Sequence, residues 1–166
     1  SPLAGKTLTT QGVVLGTMYP GSKQPSLLIQ SLTADTNPAT SEALMIADSQ
    51  LAALYQPGQL VQLTGTVREL GKMTALTNIS ASAVCAEQQP LPKLQLQLPV
   101  KQLTDWEALE GQYLSFSQPL IVNDTYPLAR YGEILLADKR LWVATELHRP
   151  GKESQQLEQQ QRLSQL

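Results

Sequence analysis

The chain has 166 residues, with 12 Lys and Arg against 14 Asp and Glu, one His and one Cys. A net charge of -2 excludes a surface that attracts nucleic acid over its whole extent, because dedicated nucleic-acid-binding domains are strongly basic. One His and one Cys exclude a zinc site made from the usual Cys and His ligands, and a single Cys excludes an internal disulfide. No apolar run reaches the length of about 18 residues that a membrane helix needs.

The first half of the sequence has the pattern of short β-strands, with apolar runs bounded by Pro, Gly and polar turn residues. These runs predict five strands, at residues 11–19, 26–31, 42–47, 59–69 and 73–84. Between the third and fourth strands, one helical turn is predicted, capped by Asp48 or Ser49. This order favours a mainly β fold with a five-stranded barrel of the oligonucleotide-binding type at residues 6–86, bent at Gly65. Another five-stranded meander or roll is the alternative.

A connector follows at residues 87–92, where Pro90 and Pro92 favour an extended segment. Residues 93–150 predict a smaller α+β segment. Its predicted elements are an extended edge at 94–100, a short helix with a Thr104–Glu107 capping box that stops at Gly111, and strands at 113–116, 120–123, 131–137 and 140–143. Residues 151–166 are rich in Gln and predict either a marginal helix or a disordered linker toward a further domain.

The sequence contains no recognisable catalytic group. His148 lies in a polar segment, where a solvated loop residue is a simpler interpretation than a catalytic base. Cys85 ends the fifth strand, where a buried, inert thiol is a simpler interpretation than a nucleophile. The scattered carboxylates indicate turns and helix starts, and a Mg²⁺ site formed by two of them is the alternative. We therefore expect no catalytic residue, no metal ligand and no cofactor.

A few side chains of the barrel suit single-stranded nucleic acid, which needs aromatic faces for bases and cations for phosphates. The candidates are Tyr19, Lys23, Gln30, Arg68 and Lys72. Four basic and four acidic side chains balance across residues 1–86. With about two to four phosphate contacts, binding is expected to be weak and dependent on salt.

A second candidate is the loop at residues 123–133. Tyr126 and Tyr131 bracket a proline turn, and Arg130 stands beside one of them, which provides two stacking faces and a forked phosphate donor. This pattern predicts a binding or interdomain loop. In the alternative, both tyrosines fill a small core and Arg130 pairs with a neighbouring carboxylate.

Two groups of motifs resemble bacterial extracellular endonucleases. In the first half they are Gln11-Gly12-Val13-Val14, Leu28-Ile29-Gln30, the run from Pro57 to Glu69 and Gly71-Lys72-Met73-Thr74, which resemble the barrel domain at the front of those enzymes. In the second half they are Pro90-Leu91-Pro92, the run from Trp106 to Gly111 and Arg130-Tyr131-Gly132-Glu133, which resemble the segment linking that barrel to the nuclease domain. Together they cover about residues 8–151.

The resemblance implies a noncatalytic accessory region. In that family a later domain, similar to DNase I, performs catalysis with divalent metal and needs more than one His. None of its motifs occurs in this sequence. The resemblance thus implies a chain that binds DNA weakly, or positions the nuclease domain of the same full-length chain, in a secreted or periplasmic nuclease. A structural or protein-interaction module without nucleic-acid binding is the alternative.

Overall fold

The computed structural model describes residues 2–19, 23–35, 37, 39–71 and 73–166. The chain forms two compact units. Unit 1 comprises Ser1–Leu94 and Glu107–Tyr113, and unit 2 comprises Gln95–Trp106 and Leu114–Leu166. The chain thus leaves unit 1 after the predicted connector but returns to it for seven residues, which the sequence does not predict. No helix in the described residues is long and apolar enough to cross a membrane.

Unit 1 is built on five strands and one helix. In chain order these are β1 (Thr7–Met18), β2 (Ser26–Gln30), β3 (Ala43–Ile46), α1 (Ser49–Leu54), β4 (Leu60–Leu70) and β5 (Met73–Ala86). The strands close into a barrel in the order β1-β2-β3-β5-β4, and β3 runs parallel to β5 while the other neighbours are antiparallel. This strand order, with a helix after the third strand, is that of an oligonucleotide-binding-type barrel, so the predicted fold class is confirmed.

The barrel interior is filled by apolar side chains that point inward at alternate strand positions. They include Val14, Leu27, Ile29, Ile46, Val61, Leu63, Val67 and Leu76. Leu51 and Ala52 of α1 pack against this core, and the Thr17 hydroxyl donates to the Ala52 carbonyl at 3.1 Å. Each fully buried Leu or Ile contributes roughly 1.5–3 kcal/mol to stability through its removal from water.

Gly65 permits a close crossing of β4 and β5. The register between these two strands shifts beside it. A β-carbon at this position would lie 2.7 Å from the backbone oxygen of Thr77 and within 2.9 Å of the Leu76 and Ile79 side chains. The sequence predicts a bend here, and the structure adds the reason that the position has no room for a side chain.

Asp48 begins α1. Its carboxylate accepts hydrogen bonds from the backbone N–H groups of Gln50 and Leu51 at 2.9 and 3.0 Å. Of the two predicted caps, Asp48 and Ser49, the structure therefore selects Asp48.

Replacing Asp48 by Ala is expected to lower the free energy of unfolding by about 1 kcal/mol, because two N–H groups lose their acceptor. Urea denaturation of the wild type and the variant measures this difference. Ser49→Ala is the matched control, with an expected change below about 0.5 kcal/mol. Equal losses in the two variants would show that Asp48 is not the cap.

The remaining elements are short. They are β6 (Leu94–Leu96), α2 (Asp105–Leu109), β7 (Leu114–Phe116), β8 (Ile121–Asp124), α3 (Leu128–Tyr131), β9 (Leu135–Ala137), α4 (Ala144–Leu147) and α5 (Lys152–Ser164). β6 pairs with β7, and β8 pairs antiparallel with β9. The structure thus has an α+β arrangement after the barrel.

Residues 140–143 are irregular, although the sequence predicts a strand there. The Asn123 side chain explains the difference. Its Oδ1 accepts from the Leu141 N–H at 2.7 Å, and its Nδ2 donates to the Lys139 carbonyl at 3.0 Å. These bonds replace those of a strand ladder, and β9 pairs with β8 instead.

The start of α2 also differs from its prediction, since the described contacts there do not include the capping box of Thr104 and Glu107. The Asp105 carboxylate instead accepts from the backbone N–H groups of Lys101 and Gln102 at 3.1 and 3.2 Å. The predicted stop at Gly111 is present, with a left-handed φ of 72°.

The Gln-rich tail is helical and belongs to unit 2. The Val100 N–H donates to the Leu163 carbonyl at 2.8 Å, and Leu136 and Leu166 exchange two backbone hydrogen bonds at 2.9 and 3.0 Å. Ser164 is buried. Of the two predicted alternatives, a helix or a disordered linker, the structure therefore shows the helix.

Candidate nucleic-acid interface

The turns after β1 and after β4 border one open groove of unit 1. The groove has a volume of about 450 Å³ and is lined by Gln24, Pro25, Ser26, Ala47, Asp48, Ser49, Gln50 and Leu70. Gln24 and Pro25 end the β1–β2 turn, Ser26 begins β2, and Leu70 ends β4. We call the described residues at these two turns, 19, 23–26 and 68–71, the rim. In oligonucleotide-binding-type barrels, these two turns and the face of the second and third strands bind the ligand.

Tyr19 and Lys23 belong to the β1–β2 turn. Tyr19 follows β1 directly, has a left-handed φ of 54°, and its side chain is 62% exposed. Lys23 is exposed and immediately precedes the groove-lining residue Gln24. The described residues of the turn therefore include an exposed aromatic side chain and an exposed cation, which are the groups that stack on a base and bind a phosphate.

Arg68 lies near the end of β4, exposed and opposite Ala75 of β5. Glu69 follows it and accepts a hydrogen bond from the Thr74 hydroxyl at 3.0 Å, so the same turn carries a carboxylate. Lys72, the other predicted cation, lies outside the described residues. The described part of the rim thus combines two cations with acidic neighbours, and its attraction for phosphate is modest.

The outer face of β2 and β3 is covered by residues 107–113 of the same unit, which we call the cap. The Tyr113 N–H donates to Gln30 Oε1 at 2.8 Å, and Gln30 Nε2 donates to Gln112 Oε1 at 3.4 Å. The Ser41 hydroxyl donates to the Glu110 carbonyl at 2.6 Å. Gln30, predicted as a nucleic-acid contact, is only 4% exposed, and both ends of its amide are bonded to the cap.

Gly111 brings the cap into contact with the strands. Its φ is 72°, and a β-carbon there would lie 3.1 Å from Met73 Cε and 3.3 Å from both Ala43 Cβ and Leu28 Cδ1. These three side chains belong to β5, β3 and β2. Of the surfaces that such barrels use for ligands, the strand face is therefore occupied by the chain itself, and the rim stays open.

The predicted loop of unit 2 is strongly exposed. Tyr126 is 92% exposed and Tyr131 is 61% exposed. The Arg130 guanidinium lies 5.2 Å from the centroid of the Tyr131 ring, and the Tyr126 N–H donates to Asp124 Oδ1 at 2.8 Å. The alternative in which both tyrosines fill a small core is therefore wrong. The loop presents one free aromatic side chain and one cation–aromatic pair to solvent.

Apolar side chains within this loop and next to it in the sequence are exposed as well. They are Ile121, Val122, Leu128 and Ile134, with exposed fractions between 41% and 53%. Exposed large apolar side chains are typical of surfaces that bind another molecule when they form a contiguous patch. The sequence alone did not indicate their exposure, because strand positions of this kind are equally typical of a core.

The side chains that could act in catalysis or bind a metal ion lie apart from one another in the described part of the chain. In the described ranges, no three His, Cys, Asp or Glu side chains group in a way that suits a metal ion. His148 Nδ1 lies 3.4 Å from Glu153 Oε2 in a solvent-exposed pair. Cys85 is exposed, in contrast to the buried thiol that the sequence suggests. It lies near the end of β5, at a register shift between Val84 and Ala86.

No protein-family model and no curated protein matches the chain. Among solved structures, it is similar to the aspartyl tRNA synthetase from Entamoeba histolytica, with 17% identity, a TM-score of 0.38, and coverage of 55% of this chain and 21% of the other. It is also similar to the S. pombe Stn1-Ten1 complex, with 10% identity, a TM-score of 0.36, and coverage of 64% of this chain and 67% of the other. A third similar structure is the S. cerevisiae mitochondrial single-stranded DNA binding protein Rim1, with 13% identity, a TM-score of 0.36, and coverage of 52% of this chain and 99% of the other. These likenesses are remote, and the assignment of this chain to the oligonucleotide-binding-type barrels rests on its own strand order.

Proposed function

We propose that this chain is a noncatalytic module that binds single-stranded nucleic acid weakly at the rim of its barrel. The observation that carries the proposal is the exposure of Tyr19 and Lys23 on the β1–β2 turn, since the residues that follow Lys23 line a groove together with Leu70 at the end of β4. Stacking of one base on an aromatic side chain contributes about 1–3 kcal/mol. Lys23 and Arg68 supply phosphate contacts.

The cap limits this binding to a short footprint. Because residues 107–113 cover the strand face, a bound strand contacts the two turns without crossing Gln30 or Ala43. With about two or three phosphate contacts, the logarithm of the binding constant should fall with the logarithm of salt concentration with a slope of about -1.4 to -2. Dissociation constants of about 10⁻⁴ M or weaker are expected at physiological salt.

Fluorescence anisotropy with a labelled oligothymidylate at several salt concentrations tests the proposal. Tyr19→Ala is expected to weaken binding about fivefold or more through a lost stack. Lys23→Ala and Arg68→Ala are each expected to weaken it about threefold to tenfold through a lost phosphate contact. Tyr126→Ala and Lys152→Ala are matched controls that remove an exposed tyrosine and a cation of unit 2. No saturable binding at about 100 μM chain and low salt would overturn the proposal. Equal losses in the controls would overturn the assignment to the rim.

The finer proposal is an accessory role in a secreted or periplasmic endonuclease, which the sequence resemblance alone supports. In that role the chain keeps DNA near a separate DNase I-like domain and performs no cleavage itself. Incubation of the chain with plasmid DNA and Mg²⁺ is then expected to leave the plasmid intact. Conversion of the plasmid to nicked or linear forms, by a preparation shown to be free of contaminating nuclease, would contradict the noncatalytic assignment.

A second candidate function is docking onto that nuclease domain through the loop of unit 2. The 92% exposure of Tyr126, together with the half-exposed Leu128 and Val122, favours it. Calorimetric titration of the chain with a DNase I-like domain of such an endonuclease tests it. Docking predicts saturable heat that Tyr126→Ser reduces and Tyr19→Ser leaves unchanged. Absence of heat, or equal effects of both substitutions, would contradict it.

A further inference from the structure

Two neighbouring depressions share Gln160 of α5, and all of their lining residues belong to unit 2. The larger depression has a volume of about 570 Å³, and its charged lining residues are Lys101 and Arg162. The smaller one, which we call the Trp142 pocket, has a volume of about 200 Å³. It is lined by residues 139–142, two leucines and two glutamines, and its charged lining residues are Lys139 and Arg140.

The charges that line these depressions are of one sign. Unit 2 as a whole carries seven Lys and Arg and seven Asp and Glu. Four of these cations line the two depressions, and none of the carboxylates does. In the part of the chain that the structure describes, Lys139 and Arg140 form no ion pair with a carboxylate. Asp138 precedes Lys139, but its Oδ1 is buried and it lies outside the lining. This side of unit 2 therefore favours an anionic ligand.

Four consecutive residues, 139–142, line the Trp142 pocket because their backbone is irregular. In a strand, successive side chains point to opposite faces, so a strand would divide these residues between two surfaces. The two Asn123 hydrogen bonds described above hold one part of the segment. The Gln161 side-chain amide donates to the Trp142 carbonyl at 3.0 Å and holds the other part against α5. The pocket is therefore organised without a ligand.

Trp142 gives the pocket an aromatic wall. It is 49% exposed, and the Arg140 guanidinium lies 4.6 Å from the centroid of its ring. Leu141, Leu147 and Leu157 are the aliphatic lining residues. Pockets for drug-sized ligands have volumes of about 300–1,000 Å³, so a pocket of about 200 Å³ suits a single planar ring system. An aromatic ring that carries a negatively charged group matches both the apolar walls and the cations.

We propose that the Trp142 pocket binds a nucleoside monophosphate, with the base against Trp142 and the phosphate on Arg140 and Lys139. A nucleobase stacks on an aromatic side chain, and the guanidinium fork of arginine matches a phosphate group. One aromatic wall with two cations corresponds to one base and one phosphate. The site uses no rim residue and therefore goes beyond the binding proposed above. A dissociation constant of about 1 mM is expected, because exposed charge pairs contribute little.

The indole N–H resonances of a ¹⁵N-labelled chain test the proposal, since the chain has two tryptophans, Trp106 and Trp142. The Trp106→Phe variant assigns the two resonances. Titration with adenosine 5′-monophosphate to about 10 mM at low salt is expected to shift the Trp142 resonance saturably and to leave that of Trp106 unchanged. Adenosine, which lacks the phosphate, is expected to bind about twofold to fivefold more weakly.

Arg140→Ala is expected to weaken binding of adenosine 5′-monophosphate about twofold to fivefold. Lys139→Ala provides a second variant if the spectrum of Arg140→Ala is not that of a folded chain. Arg149→Ala is the matched control, because Arg149 is an exposed cation of unit 2 outside the pocket lining. It is expected to bind like the wild type. Tyr19→Ala is expected to do so as well, which distinguishes this site from the rim.

The proposal would be overturned by the absence of a saturable Trp142 shift up to about 10 mM nucleotide, or by equal shifts of both indole resonances. Equal affinities for adenosine and adenosine 5′-monophosphate would contradict the phosphate contact. Equal losses in Arg149→Ala and Arg140→Ala would contradict the assignment to the Trp142 pocket.

Discussion

Gly65→Ala is expected to lower the free energy of unfolding by about 2–3 kcal/mol, because the added methyl group has no space. Its carbon would lie 2.7 Å from the Thr77 carbonyl oxygen, which is backbone and cannot rotate away. The nearest Leu76 atom, at 2.9 Å, belongs to a fully buried side chain, so relief there would disturb the core. Urea denaturation at 25 °C measures the loss.

Gly71→Ala is the matched control for this substitution. Gly71 has a φ of 65°, and a β-carbon there would meet nothing within 4 Å. Its replacement introduces backbone strain without a steric overlap and is expected to cost about 1 kcal/mol. A loss at Gly65 no larger than that at Gly71 would contradict the close crossing of β4 and β5.

Gly111→Val is expected to detach the cap from the barrel. A φ of 72° disfavours a β-branched residue, and the new β-carbon would lie 3.1–3.3 Å from side-chain atoms of Met73, Ala43 and Leu28. Strain of this kind costs about 1–3 kcal/mol. Because the cap is held by few hydrogen bonds, we expect it to open before the barrel unfolds. Hydrogen exchange at the Tyr113 amide, which donates to Gln30, should accelerate about tenfold or more.

Gly132→Val separates this effect from backbone strain alone. Gly132 has a φ of 73° with nothing within 4 Å, so its replacement carries a similar conformational cost elsewhere in the chain. The Tyr113 amide should keep its wild-type exchange rate in that variant. Unchanged protection of Tyr113 in Gly111→Val would contradict the packing of the cap on the strand face.

The barrel was predictable from the sequence because its determinants are local. Alternating apolar residues, the turns at Pro57-Gly58 and Gly71, and a capping residue at Asp48 each act within a few positions. The five strands and the helix therefore appear in the predicted order. The irregular stretch at 140–143 was not predictable, because it depends on a side chain 18 residues away, Asn123.

The candidate site was predictable only in part, because some of its residues depend on contacts with residues far away in the sequence. Exposure of Tyr19 and Lys23 follows from their place in a turn between two strands. Burial of Gln30 follows from a hydrogen bond to Tyr113, 83 residues further along the chain. A glutamine on a strand is equally typical of a solvent-facing position, so no local pattern distinguishes the two environments.

Titration of ¹⁵N-labelled chain with a short oligothymidylate, followed by the backbone amide resonances, tests the central claim most directly. Binding at the rim with the cap in place predicts shifts at Tyr19, Lys23 and Arg68, while Gln30 and Tyr113 stay unchanged. Shifts that run through Gln30 and Ala43, with faster exchange at Tyr113, would mean that nucleic acid displaces the cap and binds the strand face. That result, or the absence of any shift, would contradict the account.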